Sequence, residues 1–582
     1  MKSTIMSRRD LDFLLYEWLD VEKLTALDRF SEHSRETFDG VLDLCEQLAT
    51  RYFAPHNKLS DANEPTFDGQ TVTLIPDVKA AWDAFAAADL IAMGMDAEIG
   101  GAQLPMTVAQ AAFAWISAAN VSTSGYLMLT IANANLLAHF GTPEQIEKFV
   151  KPMLAGRFSG TMALSETQAG SSLADITTRA EPQADGSYRL FGSKMWISGA
   201  EHELTENIVN LVLAKIPGGP AGTKGISLFI VPKYLDDGTR NDVAISGLNH
   251  KMGQRGITNT VLNFDGAVGY LVGEPHRGIV YMFHMMNEAR LGVGMGAVAL
   301  GYTGYLKSLE YARERPQGRP LGVKDPSTPQ VPIIEHADVK RMLLAQKAYV
   351  EGGLALALYC ATLVDRDATG DGSVLDILTP VAKSWPSQWC LEANNLAIQV
   401  HGGYGYTREY DVEQHYRDNR LNQIHEGTHG IQSLDLLGRK VTQQGGAGLA
   451  ALGERIAATT AHARSNQGSA AASAGAAPEL AAQLDAAWQR LVSVTGAMFA
   501  SGDVEAAMVN SAVYLEAFGH IVVAWIWLEQ LLAADGHSGD FYDGKRQAAR
   551  YFFRYELPKT APQLDLLESL DRTTLEMRDN WF

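Results

Sequence analysis

Apolar residues recur at three- and four-residue spacing through much of the first 160 positions, as in DFLLYEWLDVEKL (12–24) and ETFDGVLDLCEQLATRYF (36–53), which predicts amphipathic helices. Thr142-Pro143-Glu144-Gln145 carries a helix-start signal: Thr142 caps, Pro143 takes the first helical position, and Gln145 completes a capping box. After Gly160 the period shortens. YRLFGSKMWISGA, NIVNLVLAKI, GISLFIVPK and TVLNFDG are short, rich in β-branched and aromatic residues, and punctuated by Gly, Pro, Asn or Asp. They predict antiparallel strands of a compact β domain. From about residue 279 the helical period returns in long segments (281–314, 339–364, and a third leading into Glu426), as expected of a helical bundle. A Gly/Ala/Ser-rich stretch at 465–479 predicts a linker, and 479–500 and 503–536 predict helices of a further module.

The pattern gives an α+β fold, mainly α: helices to about 160, a β domain (161–275), an α-bundle (276–445) and an additional helical domain (446–582). A chain of 582 residues is too long for one hydrophobic core and agrees with several packed units. The net charge of −19 argues against nucleic acid or an anionic membrane as the main partner. Three dispersed cysteines, without metal spacing, suit a reducing compartment, and no metal is expected. The start, MKSTIMSRRDLDF, lacks the apolar run of a secretory signal. The most apolar stretch, IVVAWIWL at 521–528, is far short of the roughly 20 residues of a membrane span and reads as buried helix. The expected location is cytoplasmic.

Two blocks carry chemistry. HFGTPEQIEKFVKPMLAGRFSGTMALSETQAGSSLADITTRA, continuing through FGSKMWISGA, resembles the central signature of acyl-CoA dehydrogenases. QVHGGYGYTREYDVEQHYRDNRLNQIHEGTHGIQ is similar to that family's C-terminal signature, in the same order and spacing. The resemblance covers about 40–445, which implies that the leading helices divide into an N-terminal helical extension (1–40) and an N-terminal α domain (41–160). The terminal additions look like those of the enlarged bacterial branch, which includes long-form acyl-CoA dehydrogenases and 3-methylmercaptopropionyl-CoA dehydrogenases. It implies the acyl-CoA dehydrogenase fold plus an extra helical domain, and FAD-dependent conversion of an acyl-CoA thioester to the trans-2-enoyl-CoA. The chemistry requires a base for the α-proton and a non-protein acceptor for the β-hydride, since no side chain accepts hydride.

The resemblance places the base on Glu426, with its backbone N–H polarising the thioester carbonyl and Gly427 beside the substrate. Some relatives carry the base just before the arginine of the Asn-Glu-Ala-Arg segment. Here that position is Ala289, and Glu288 faces elsewhere because adjacent helix positions differ by about 100°. Met162, Leu164 and Ser165 are assigned to the strand lining the flavin, and Trp196 and Ser198 to its reactive edge. Ser171 and Arg290 match positions that contact CoA, although Ser172 stands where Asp is usual and Thr167-Gln168 replace a common Pro-Gly pair. Arg315, Gln399 and Gly403 match positions reaching the FAD of a neighbouring subunit, and Thr428 matches a cofactor contact. A guanidinium suits pyrophosphate by charge and fork geometry.

The same resemblance implies an active site shared between subunits, a homodimer, and an electron-transfer flavoprotein as acceptor. Short or medium acyl groups, including the methylthio analogue, are the expected substrates, in a fatty-acid β-oxidation role. Two alternatives stand beside this reading. An acyl-CoA oxidase performs the same dehydrogenation with oxygen as acceptor, although the bacterial-type N-terminal segment favours a dehydrogenase. A nucleic-acid-binding flavoprotein of this fold calls for a basic C-terminal surface, and the region after 446 has no dense Lys/Arg cluster.

Overall fold

The computed structural model of the protein describes residues 3–366, 372–465 and 477–582. Most of the expected linker therefore lies outside the described residues. The chain forms two compact units, Thr25–Gly292 on one hand and Met1–Leu24 with Val293–Phe582 on the other.

In the unit Thr25–Gly292, helix Arg35–Leu48 starts at a Ser34 capping box with Thr37. The Thr142 start forms as expected: its hydroxyl accepts from the Gln145 N–H, and Gln145 Oε1 accepts from the Thr142 N–H at 3.1 Å. Helices Met106–Ala119 and Val121–Phe140 join at Asn120, whose side chain caps the second by accepting from the Thr123 N–H.

The β domain has seven strands: β1 Phe158–Ala163, β2 Arg179–Pro182, β3 Tyr188–Ser198, β4 Asn207–Lys215, β5 Ile226–Pro232, β6 Val243–Leu248 and β7 Asn259–Leu271. The expectation of antiparallel strands needs correction, because the sheet is mixed. β1 runs parallel to β4 from Phe158↔Asn207 to Ala163↔Val212, and β2 meets β4 in parallel at Arg179↔Lys215. A parallel pair needs a long crossover, and the β2–β3 hairpin between β1 and β4 supplies it. The remaining pairings, β3–β7, β5–β7, β4–β5 and β6–β7, are antiparallel, and together with the β2 pairings they return to β4 as a closed ring. Leu190, Val212, Phe229, Val231, Leu262 and Phe264 form its core. β1, the strand that leads to the expected flavin segment, is fixed against helix Val121–Phe140 by Asn133. Its amide donates to the Thr161 and Val209 carbonyls at 3.0 and 2.8 Å. A Cβ on Gly160 would lie 2.6 Å from the Asn133 side chain, so that close approach requires glycine.

The second unit is helical. Ala337–Asp365 and Gly372–His401 pack with residues 293–314 of helix Gly278–Glu314, and Gly301 lets the Cys390 region approach, with a Cβ there meeting Cys390 at 2.7 Å. The extra module contributes Ala447–Ser465, Ala477–Ala500, Ser511–Ala533 and Asp540–Tyr551. The stretch 503–536 is two helices, Val504–Met508 and Ser511–Ala533. IVVAWIWL thus belongs to a 23-residue apolar helix, longer than its own eight-residue run suggested, and 83% of its most apolar window is buried. Among the described residues, Ala337–Asp365 is the other helix long and apolar enough to cross a membrane, and it is equally buried.

Candidate active site

In the unit Thr25–Gly292 the flavin-assigned residues gather where β1 ends and β3 bulges. Met162 is buried, while Leu164 and Ser165 are half-buried beyond the strand. The β3–β7 register slips between Lys194 and Ile197, and within that bulge Trp196 takes a left-handed φ of 67°. Its side chain is 61% exposed. A bulky residue at positive φ is costly for the strand, and the exposed Trp196 leaves room for another molecule to cover it. The Met195 N–H donates to the Ser165 carbonyl at 2.9 Å, which ties the loop after β1 to the bulge.

Beneath this surface lies a pair that reading the motif alone missed. Lys194, with a fully buried side chain, donates to the Leu164 carbonyl at 2.9 Å and to Glu166 Oε1 at 3.0 Å. The Glu166 carboxylate also accepts from the backbone and hydroxyl groups of Thr177 and Thr178 at 2.6–3.0 Å. Burial alone would raise the Glu166 carboxyl, but Lys194 and these donors outweigh it and hold it at about 2. Burial pulls the Lys194 ammonium down to about 8 against the attraction of Glu166. The available signal was a charged residue next to an apolar run in each motif, Glu166 after MALS and Lys194 before MWI.

Ser171 lies on the exposed loop that follows. Arg290 is 3% exposed, so it is not a solvent-facing surface arginine. Ala289 is buried, and the side chain of Glu288 lies outside the described residues.

In the other unit Glu426 sits in a turn between Leu421–Gln423 and the short helix His429–Asp435. Glu426 has φ 52° and Gly427 φ 89°. A side chain at 427 would be strained by that φ and would meet the Gln432 amide, which accounts for glycine there. The turn is pinned from both sides. Gln432 Nε2 donates to the Glu426 carbonyl at 3.1 Å, and Lys383 Nζ, on the buried face of helix Gly372–His401, donates to the Gly427 carbonyl at 2.7 Å. Thr428 caps the following helix by accepting from the Ile431 N–H. Behind the turn runs a chain of amides. Asn394 donates to the Leu300 carbonyl and accepts from Asn419, which accepts from Asn422, which in turn meets His425 at 2.9 Å. Burial, with Lys383 nearby, pulls His425 down to about 3 and keeps it neutral. Lys383 and Asn394 of this support lie outside the C-terminal motif, while Asn419, Asn422, His425 and Gln432 stand within it with no periodic signal that singles them out.

Arg315 sits over the Tyr404 ring at 5.6 Å, beside the Gly402–Tyr406 turn. Gln399 is exposed on the helix that enters the turn. Gly402 has a left-handed φ of 62° that itself favours glycine, whereas a Cβ on Gly403 would meet nothing within 4 Å, so neither backbone nor packing in this chain demands glycine at 403. An exposed, backbone-lined turn beside a guanidinium fits a phosphate or adenine group of a dinucleotide. Within the unit Thr25–Gly292, the exposed Trp196 and the hydroxyl of Ser198 fit the isoalloxazine of a bound FAD. Among the described residues no cluster of His, Cys, Asp or Glu fits a metal.

Family models for the acyl-CoA dehydrogenase N-terminal, middle and C-terminal domains match residues 38–157, 161–267 and 276–441. A model described as acetyl-CoA dehydrogenase C-terminal like matches 452–578. The chain is 35% identical to a 3-methylmercaptopropionyl-CoA dehydrogenase of Ruegeria pomeroyi, covering 94% of each chain. It is 34% identical to a broad-specificity linear acyl-CoA dehydrogenase of Mycobacterium tuberculosis, covering 99% of each. A solved acyl-CoA dehydrogenase complexed with FAD from Bacillus anthracis shares the fold at TM-score 0.75 and 19% identity, over 98% of this chain and 93% of that one.

Proposed function

The chain belongs to the acyl-CoA dehydrogenase family and is an FAD-dependent acyl-CoA dehydrogenase, and from that premise we propose that Glu426 removes the α-proton of a short- or medium-chain acyl-CoA, with the 3-methylmercaptopropionyl thioester among its substrates. When bound, FAD supplies the acceptor for the β-hydride. The observation that carries the role of Glu426 is the turn itself, a left-handed glutamate whose own carbonyl and that of Gly427 are clamped by Gln432 and Lys383. Such clamping fixes the backbone from which the Glu426 side chain and N–H project, the positioning that a base at carbon requires. The Glu426 backbone N–H polarises the thioester carbonyl and so acidifies the α-proton. Arg315, Gln399 and Gly403 serve the FAD of a second copy, so the active form is a homodimer, and Ser171 and Arg290 serve CoA. An electron-transfer flavoprotein takes the electrons in fatty-acid β-oxidation, in the cytoplasm, a setting supported by three buried, unbridged cysteines. The substrate choice is supported by likeness to the Ruegeria pomeroyi enzyme along nearly the whole chain.

The test is anaerobic flavin absorbance of the FAD-loaded protein mixed in turn with acyl-CoAs from four to about sixteen carbons and the methylthio analogue. Fastest bleaching by the short, medium or methylthio members is expected. Fastest bleaching by the longest chains contradicts the substrate assignment.

A further inference from the structure

Ser198 closes β3 directly opposite Asn259, the first residue of β7. Asn259 Nδ2 donates to Ser198 Oγ at 3.0 Å, and Asn249 Nδ2 donates to Asn259 Oδ1 at 2.8 Å. The two asparagines are also joined through their backbones, the Asn249 N–H donating to the Asn259 carbonyl at 2.7 Å. On the other side, Thr161 Oγ1 donates to the Ser198 carbonyl at 2.5 Å, so the peptide plane after Ser198 is held from β1. Asn259 is 8% exposed, which leaves its amide little freedom to turn toward water.

A serine hydroxyl carries one proton and rotates to suit its partners. Here its oxygen already accepts from Asn259. The proton must then be donated in another direction, and Ser198 is only half-buried. We infer that Asn259, backed by Asn249, is a positioning residue that fixes the direction of the Ser198 proton and presents it as a ready donor to the flavin edge. This rests on the reading that Ser198 lines the flavin. The benefit is preorganisation: a donor already oriented costs no rotation when electron density on the ring changes. A volume-filling role for Asn259 would not need the amide chain, and would leave the electronic state of the flavin untouched.

The experiment uses FAD-loaded protein and reads the two-electron midpoint potential and the flavin absorbance envelope. Ser198→Ala, Asn259→Ala and the double variant are compared with wild type, with Asn249→Ala as a milder variant one bond further out. Ser198→Ala and Asn259→Ala are expected to shift the potential in the same sense, with the double variant moving no further than Ser198→Ala. Asn249→Ala is expected to shift it in that sense by less. A shift in Ser198→Ala with none in Asn259→Ala overturns the relay and leaves Ser198 at the flavin. No shift in Ser198→Ala overturns the underlying placement and the relay with it. Additive shifts in the double variant also overturn the relay, because Asn259 then acts independently of Ser198. If Asn259→Ala fails to retain FAD, Asn249→Ala decides by the same criteria: a shift in the sense of Ser198→Ala supports the relay and none overturns it.

Discussion

Trp196 and Glu426 are both non-glycine residues at positive φ, and both were singled out from the sequence motifs. What the motifs did not disclose is how each is held: Trp196 next to Met195 and Lys194, whose N–H and ammonium donate to the Ser165 and Leu164 carbonyls, and Glu426 by Gln432 and Lys383. Motif residues are legible because their identity answers to chemistry. Their holders answer to geometry that exists only once the chain folds, even where, like Lys194, Glu166 and Gln432, they stand in the same motifs. Buried titratable groups have a consequence for stability. Burial pulls His202, His415 and His425 down to about 3 from 6.5, helped by Lys233, Lys307 and Lys383 respectively. They stay neutral in the folded chain, while the unfolded chain takes up protons near 6.5, so the unfolded state binds more protons below that pH. Their full contribution is present above about 6.5 and is lost progressively as pH falls toward 3. Glu166, about 2 folded against 4.5 unfolded, adds a loss between those values. The thermal midpoint is expected to be level just above neutrality and to fall steadily below about pH 6.5. A midpoint unchanged down to about pH 4.5 contradicts these burials.

Among the elements, helix Gly372–His401 joins several features. It contains Pro380 and Pro386, with Lys383 midway between them. Pro386 has no N–H for the Ala382 carbonyl one turn back, and that oxygen faces Gly294, where a Cβ would fall inside van der Waals contact. Gly294→Ala is therefore expected to destabilise the protein by about 1–3 kcal/mol, the cost of overpacking against backbone that cannot retreat. A denaturation midpoint equal to wild type contradicts it. The long helices were legible from their 3.6-residue period, and β3, β4, β5 and β7 from their β-branched runs. β2 and β6 were not: four- and six-residue strands with Arg, Glu, Pro and Gly carry little periodic signal. The break at Val509–Asn510 was also missed, since apolar residues continue on either side of it.

At the scale of the molecule, the unit built from the chain's two ends and its bundle closes around a buried ionic network. Lys545 pairs with Asp10 at 2.5 Å and Glu351 at 2.8 Å, Glu351 also pairs with Lys347, and Tyr302 donates to Asp10 at 2.8 Å. All but Lys347 are nearly excluded from solvent. Buried charges are tolerated only when paired, so the network specifies that the N-terminal segment, the bundle and the extra module assemble together. Nothing in the sequence discloses it, because Asp10 and Tyr302 are 292 positions apart. The central claim, that Glu426 is the base in this assembly, is tested most directly by Glu426→Gln. FAD-loaded wild type and variant are mixed anaerobically with the most reactive acyl-CoA, and the rate of flavin bleaching is followed. The variant is expected to retain FAD and bind the thioester while bleaching about 10²–10⁴-fold more slowly. Bleaching at the wild-type rate would place the base on another residue.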